Sequence, residues 1–475
     1  MTKMLFEWEL DLYTKYGKLF GVYESTRPVL YLAEPDLIRD ILVKDFHNFI
    51  NRRDLTTGSD PLGDNMVTLI KDDKWKRVRT VMSTTFTTGK LKKMIPLINE
   101  CLQTMDKNFN TISLGKTGSD VKTVFGTYSM EVIIQVAFGT KVDALYDKNN
   151  PIIENAKKFF RRKFDYQYFL FIFAPYLAKY FNLTLFDKNA SKFFSDFTLK
   201  IIEDRRSRTQ LTDIKRNDFL QLMLESIENS DINNDKENED INENLIDREK
   251  YRELKSTEKF EKYLTNDEFI AQCVLFFIAG YEGNATTLSM VTYLLAKYPE
   301  CQQKLYEEVD HYFKHHNQTD VDYDVLHSLK YLNAIIDETL RLYPIALFLE
   351  REANDDYKLG ETGITIKKGG IVHIPTFAIH RDPENFTDPE VFKPERFMAS
   401  NVEHHPYAYL PFGAGPRNCI GMRLAQMVIK LALVSAVHKY KFHDTGKPIK
   451  FYDNVGSMTT KNMFLKVEKR LQNAN

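Results

Sequence analysis

The chain has no run of about 20 largely apolar residues, the length a membrane-crossing helix requires. Its opening, MTKMLFEWELDLYTKYGKLFG, breaks each apolar stretch with a charge and lacks the layout of a secretory signal peptide. Charge of one sign is also missing. The formal net charge of −1 argues against a nucleic-acid partner, which demands a basic excess. Cysteine is scarce: Cys101, Cys273, Cys301 and Cys419 are far apart, so no disulfide framework or zinc spacing emerges, and a reducing compartment fits. There is no internal repeat, and no glycine fingerprint for a flavin or nicotinamide domain.

What is present is bulk and aromatic content. The 475 residues exceed the usual domain, yet some enzyme folds run this long undivided, and 34 Phe with 25 Tyr can fill a large core. The patterning predicts a helix near 5–16, strands around 19–24 and 28–32, and a helix from Pro35. Residues 69–110 are helical and basic, with Lys71, Lys74, Lys76, Arg77, Arg79, Lys90, Lys92 and Lys93. Such a face is either simply solvated or a docking surface for an acidic partner, since complementary charge speeds encounter. Further helices are expected near 121–138, 150–163, 267–297, 300–316 and 325–341, and from Cys419 to about 440. Short strands are expected near 356–358, 363–366 and 371–375. The class is therefore mainly α with a small β lobe.

Two segments stand apart. Residues 166–186, YQYFLFIFAPYLAKYFNLTLF, are the most apolar, but Pro175 costs a continuous helix about 3 kcal/mol. They read either as a broken, buried pair of helices or as an apolar rim that dips into a bilayer. Residues 229–250 are Asn-rich and acidic and cannot repay their ordering entropy, so a surface loop is expected there.

The chemistry centres on PFGAGPRNCIGMR at 411–423. Gly413, Gly415 and Gly421 surround Cys419 and permit tight turns and the close approach of a flat ligand. A clear helix follows, so Cys419 sits at a helix N-terminus, where free N–H groups favour a thiolate. Glu338 and Arg341, three apart, can pair on one helix face.

These residues resemble the cytochrome P450 family from about residue 9 to the C-terminus. PFGAGPRNCIG matches its cysteine loop, Glu338-Thr-Leu-Arg341 its Glu-x-x-Arg element, and Pro394-Glu-Arg396-Phe the motif that follows. Trp75-Lys-Arg-Val-Arg79 and Ala279-Gly-Tyr-Glu282 match two further helices of the family. FTTGKLKKM at 86–94, LYPIA at 342–346 and AIHRDPENF at 378–386 resemble the animal microsomal branch that includes subfamily 3A and thromboxane synthase.

The resemblance implies the cytochrome P450 fold in one catalytic domain over 1–475, without an N-terminal transmembrane anchor. It implies haem b with Cys419 as axial ligand, and such a thiolate favours O–O cleavage. It implies Trp75, Arg79, Arg351 and Arg417 on the propionate side, Ala279 against the haem, and a network of Glu338, Arg341 and Arg396 that fixes the cysteine loop. Phe276, Ala279 and Ala346 are implied for the pocket of a lipophilic substrate. NADPH-cytochrome P450 reductase or an equivalent donor is the implied partner. The implied location is the cytoplasmic face of the endoplasmic reticulum, with peripheral contact. One departure matters: an acid followed by threonine is usual at the oxygen pocket, whereas here Glu282 is followed by Gly283 and Asn284. A monooxygenase with water-borne protons is the first expectation. A rearrangement enzyme for peroxide-containing substrates and a haem-binding protein without turnover are the alternatives.

Overall fold

The computed structural model describes residues 3–115, 117–140, 150–160, 166–209, 219–221, 223, 264–316, 323, 328–399 and 401–471. The acidic segment 229–250 lies outside them, as do the expected helix ends at 161–163 and 325–327.

Helix α1 (Leu5–Tyr16) starts where the Glu7 carboxylate accepts the Met4 N–H at 2.9 Å and stops at Gly17, whose φ of +79° no helix can continue. Strands β1 (Leu19–Glu24) and β2 (Arg27–Leu32) form a hairpin, and α2 (Pro35–Arg39) opens on its proline. The helical part continues with α3 (Asp72–Ser83), α4 (Thr88–Ser113), a two-residue β3 (Ser119–Asp120) and α5 (Val121–Phe138). Asp120 caps α5 by accepting the Lys122 N–H, and Gly139 closes it in the left-handed region. After α6 (Pro151–Phe160) come α7 (Tyr166–Phe173), α8 (Pro175–Tyr180) and α9 (Lys188–Thr209). Pro175 does break the apolar stretch, but the two short helices are not buried: Tyr166, Phe169, Tyr176, Leu177, Tyr180 and Phe181 are exposed.

The central helix α10 (Asn266–Lys297) is capped by Thr265 and Glu268, each side chain bonding the other's backbone N–H. It is apolar nearly all round and therefore crosses the core. It packs along α5, and at Gly280 a Cβ would collide with the Ile133 side chain of α5, so a larger residue there requires Ile133 to move. Helices α11 (Pro299–His316) and α12 (Lys330–Leu342) follow, then β4 (Leu349–Glu352), β5 (Tyr357–Lys358), β6 (Thr365–Ile366), β7 (Ile371–Ile374) and α13 (Thr376–Ile379). The chain ends with α14 (Met422–Lys439), β8 (Tyr440–Asp444) and β9 (Phe464–Lys469).

The larger sheet has the order β1-β2-β7-β4, with β2 and β7 parallel and the other pairs antiparallel. Its register puts Glu350 opposite His373 and Arg351 opposite Val372. A second sheet, β3-β9-β8, and the β5-β6 pair complete the strand structure of the described residues. The main core runs through α4, α5, α10, α11, α12 and α14, with a smaller one beneath the larger sheet. No described helix is long and apolar enough to cross a membrane.

Candidate active site

Of the four cysteines, Cys101, Cys273 and Cys301 are buried and Cys419 alone is exposed. Yet protein surrounds Cys419 closely, the combination expected of a sulfur that faces an internal hollow. The loop that holds it is built on glycines at φ +72° (Gly413) and +70° (Gly415). At Gly415 the chain passes so close to the Leu42 carbonyl that any Cβ would strike it. The Cys419 N–H donates to the Phe412 carbonyl at 2.8 Å, and α14 begins three residues later. Burial pushes the thiol pKa up, while the Gly421 N–H, Arg79 and Arg52 pull it down.

Arginines surround the hollow. Arg417 is 5% exposed; it donates to the carbonyls of Ile50 at 2.7 Å and Ile70 at 2.9 Å, and stacks on Trp75 at 4.3 Å. Arg351 is 1% exposed, donates to the Glu350 carbonyl at 2.8 Å, and leaves its Nε with no partner. Arg52 donates to the carbonyls of Thr68 and Arg417, both at 3.3 Å. Arg79 donates to Asn418 Oδ1 at 2.8 Å, which ties α3 to the cysteine loop. Among the described residues no carboxylate pairs with Arg52, Arg351 or Arg417. Burial first, and then the charge of Arg52, push Arg417 down to about 8 and Arg351 down to about 9. Buried unpaired charges cost several kcal/mol each, so this cradle is built for an anion. The implied haem b brings two carboxylates and an iron that takes a thiolate; an open sulfur beneath uncompensated guanidiniums fits that group.

Arg52 escaped the sequence reading. Asn51-Arg52-Arg53 shows two adjacent arginines, and only the sheet separates them: Arg53 goes to Glu24 and, at 2.8 Å, to Glu350, while Arg52 turns to the hollow.

The expected network is assembled. Glu338 accepts from Arg341 at 2.7 and 2.9 Å, from Arg396 Nε at 3.1 Å and from the Lys393 N–H at 2.9 Å. Both Glu338 and Arg341 are wholly buried. The surplus positive charge is met by carbonyls: Arg341 donates to that of His380 at 2.7 Å, and Arg396 to that of Thr387 at 3.0 Å.

On α10, Ala279 and Gly283 share the open face, four residues apart. A Cβ at Gly283 would meet only Ile345, at 4.0 Å, a residue the sequence did not single out. Glu282 is turned to α5, where Lys122 pairs with it and also donates to the Thr460 carbonyl. Thr286 donates to Glu282 at 3.1 Å, Thr287 to the Gly283 carbonyl at 2.9 Å, and Asn284 to the Gly280 carbonyl at 2.9 Å. Phe276 is stacked on Phe219 at 4.3 Å, and Ala346 is half-buried where it makes an isolated bridge to Ser457.

The basic stretch is largely occupied from within. Arg77 pairs with Glu268 at 2.6 Å, Lys71 with Glu352 at 2.8 Å and Lys76 with Asp73 at 3.0 Å, while Lys74 reaches Asn65 at 2.7 Å.

The sequence profile described as Cytochrome P450 matches residues 2–249 and 229–467. Cytochrome P450 3A29 of Sus scrofa is 38% identical over 469 residues, covering 96% of this chain and 86% of the pig protein. Cytochrome P450 3A12 of Canis lupus familiaris is 38% identical over 471 residues, covering 97% and 87%. Cytochrome P450 3A5 of Homo sapiens is 37% identical over 478 residues, covering 98% and 88%.

Proposed function

The chain belongs to the cytochrome P450 family, and from that premise we propose that Cys419 is its iron ligand and that Arg52, Arg79, Arg351, Arg417 and Trp75 hold the haem edge. The activity is that of a haem-thiolate monooxygenase: with two electrons from a reductase and two protons, one atom of O2 enters an organic substrate and the other leaves as water. The haem supplies oxygen activation and the protein supplies ligand, orientation and field. The observation that carries the residue assignment is the one open cysteine beneath the uncompensated arginine cradle.

The roles of the remaining residues follow from where they lie. Ala279, Gly283 and Ile345 bound the pocket side of α10, and Ala346 continues that wall. This apolar lining suits a lipophilic substrate. Glu282 is committed to Lys122 and Thr286, so its part is to hold α10 against α5. Gly283 brings no hydroxyl to the pocket, and the Thr287 hydroxyl is spent on a backbone carbonyl, so protons reach the site through water. The rearrangement alternative rests on Gly283 alone, and near full-length similarity to subfamily 3A favours the monooxygenase. NADPH-cytochrome P450 reductase is the proposed donor. The exposed aromatic surface of α7 and α8 is the proposed peripheral contact with the endoplasmic reticulum membrane.

The test is the carbon-monoxide difference spectrum of the reduced holoprotein. The long-wavelength Soret band of a thiolate-ligated haem is expected, and Cys419→Ser should abolish it together with NADPH-driven product formation. A Cys419→Ser protein that keeps the band would overturn the assignment.

A further inference from the structure

The Glu338 network does not itself touch the cysteine loop. Among the described residues, no side chain of Glu338, Arg341 or Arg396 bonds to residues 410–421. Something else must carry its rigidity to Cys419. We propose that His380 is that positioning residue, setting the register of the cysteine loop against α12 through the Leu410 N–H. The proposal rests on the reading of Cys419 as iron ligand.

His380 follows α13 directly and is wholly buried. Its Nδ1 lies 3.2 Å from the Arg341 carbonyl and its Nε2 lies 2.8 Å from the Leu410 nitrogen. A carbonyl only accepts and a backbone N–H only donates. The ring can therefore serve both partners in one state alone: neutral, with its proton on Nδ1. Burial and the neighbouring charge of Arg341, joined by Arg381 and His404, push its pKa down to about 3 and keep it in that state. The joint is reciprocal, because Arg341 donates back to the His380 carbonyl at 2.7 Å. Beside it, the Tyr409 hydroxyl bonds both the carbonyl and the carboxylate of Asp337 at 3.0 Å. Residues 409 and 410 are thus bolted to adjacent turns of α12. From Leu410 the path to the sulfur is short: its carbonyl accepts the Gly413 N–H at 3.1 Å, and the Phe412 carbonyl accepts the Cys419 N–H at 2.8 Å. A displaced Leu410 displaces the turn from which Cys419 hangs.

His380→Phe keeps the ring's shape and removes both hydrogen bonds; His380→Gln restores an acceptor within reach of the Leu410 N–H and sacrifices the ring. Each holoprotein is scored for the ratio of thiolate-ligated to other carbon-monoxide complex, for haem loss and for melting temperature. The Phe variant should shift that ratio about tenfold against the thiolate, the factor one buried hydrogen bond carries. Gln should recover most of it. A Phe variant equal to the parent, or a Gln variant no better than Phe, overturns the proposal. If neither variant folds, amide hydrogen exchange in the unaltered holoprotein decides. Protection of the Leu410 amide like that of the α12 core supports the joint, and solvent-like exchange refutes it. A parent protein without any thiolate signature would instead strike the Cys419 reading, so the two failures are distinguishable.

Discussion

Two histidines close in sequence, His373 and His380, occupy equally dry places, yet one is charged and the other neutral. His373 on β7 lies between Glu9 of α1 at 3.0 Å and Glu350 of β4 at 3.3 Å, with the rings of Tyr31 and Phe348 on either side. Burial pulls its pKa down, but the two carboxylates outweigh that and push it up to about 9. His380 faces a backbone N–H and the guanidiniums of Arg341 and Arg381, and is held neutral. Burial alone therefore does not set the charge of a buried imidazole; the sign of its neighbours does. The sheet lobe is closed by a proton, and the cysteine side by refusing one.

This contrast can be broken most severely at Glu338. Its replacement by Ala strands two buried guanidiniums and should cost about 3–5 kcal/mol, enough to prevent recovery of folded holoprotein. Denaturant unfolding and haem content measure it. A loss below about 1 kcal/mol would mean that the carbonyls around Arg341 and Arg396 suffice by themselves.

On the sheet side, Glu9→Gln removes one of the two carboxylates facing His373 and should cost about 1–3 kcal/mol near pH 6.5. The stability that His373 contributes is fully present below its unfolded pKa of 6.5 and is lost as pH rises toward about 9. The Glu9→Gln penalty should therefore shrink in alkali. Unfolding curves at both ends of that window check this, and an unchanged penalty would show that the ring does not titrate there.

His380 works in the other direction. Its contribution is present above pH 6.5 and falls away as pH drops toward about 3. The parent should lose stability in mild acid more steeply than His380→Gln, by at most about 1.4 kcal/mol per pH unit. Taken by themselves, the two histidines favour the fold most near pH 6.5.

Gly283→Thr belongs to neither joint and serves as the smallest change. Its Cβ meets only Ile345, at 4.0 Å, so stability should move by less than about 0.5 kcal/mol. Peroxide released per NADPH oxidised should fall as a hydroxyl enters the pocket. Unaltered coupling would point to a proton route that bypasses position 283.

What could be read in the sequence was local. Helix α1 and the β1–β2 hairpin lie where the patterning put them, and the motifs around Cys419, Glu338 and Arg396 could be read directly because their spacing is their signal. What escaped was decided by distant partners. β4 reads LERE, an unpromising strand, and forms because β7 pairs with it. Arg52 and Arg53 are indistinguishable until Glu24 and Glu350 claim one of them. His380 appeared within a motif but carried no visible role, since its two partners are 39 and 30 residues away. Residues 166–186 left a buried pair and an exposed rim both open, because apolar content does not say which neighbours are present, and much of their aromatic surface is exposed.

The contact between Gly280 and Ile133 has a consequence for how such a chain can change over time. The two helices meet there so closely that a carbon added at 280 must displace the Ile133 side chain, so a change at either position is felt at the other. An alanine at 280 becomes tolerable only after 133 has given up volume, whereas a smaller residue at 133 first opens a void beside the oxygen-side helix. Either order passes through a less stable ancestor. The pair is a ratchet: descendants of this protein can trade volume between α5 and α10, but only in small, matched steps.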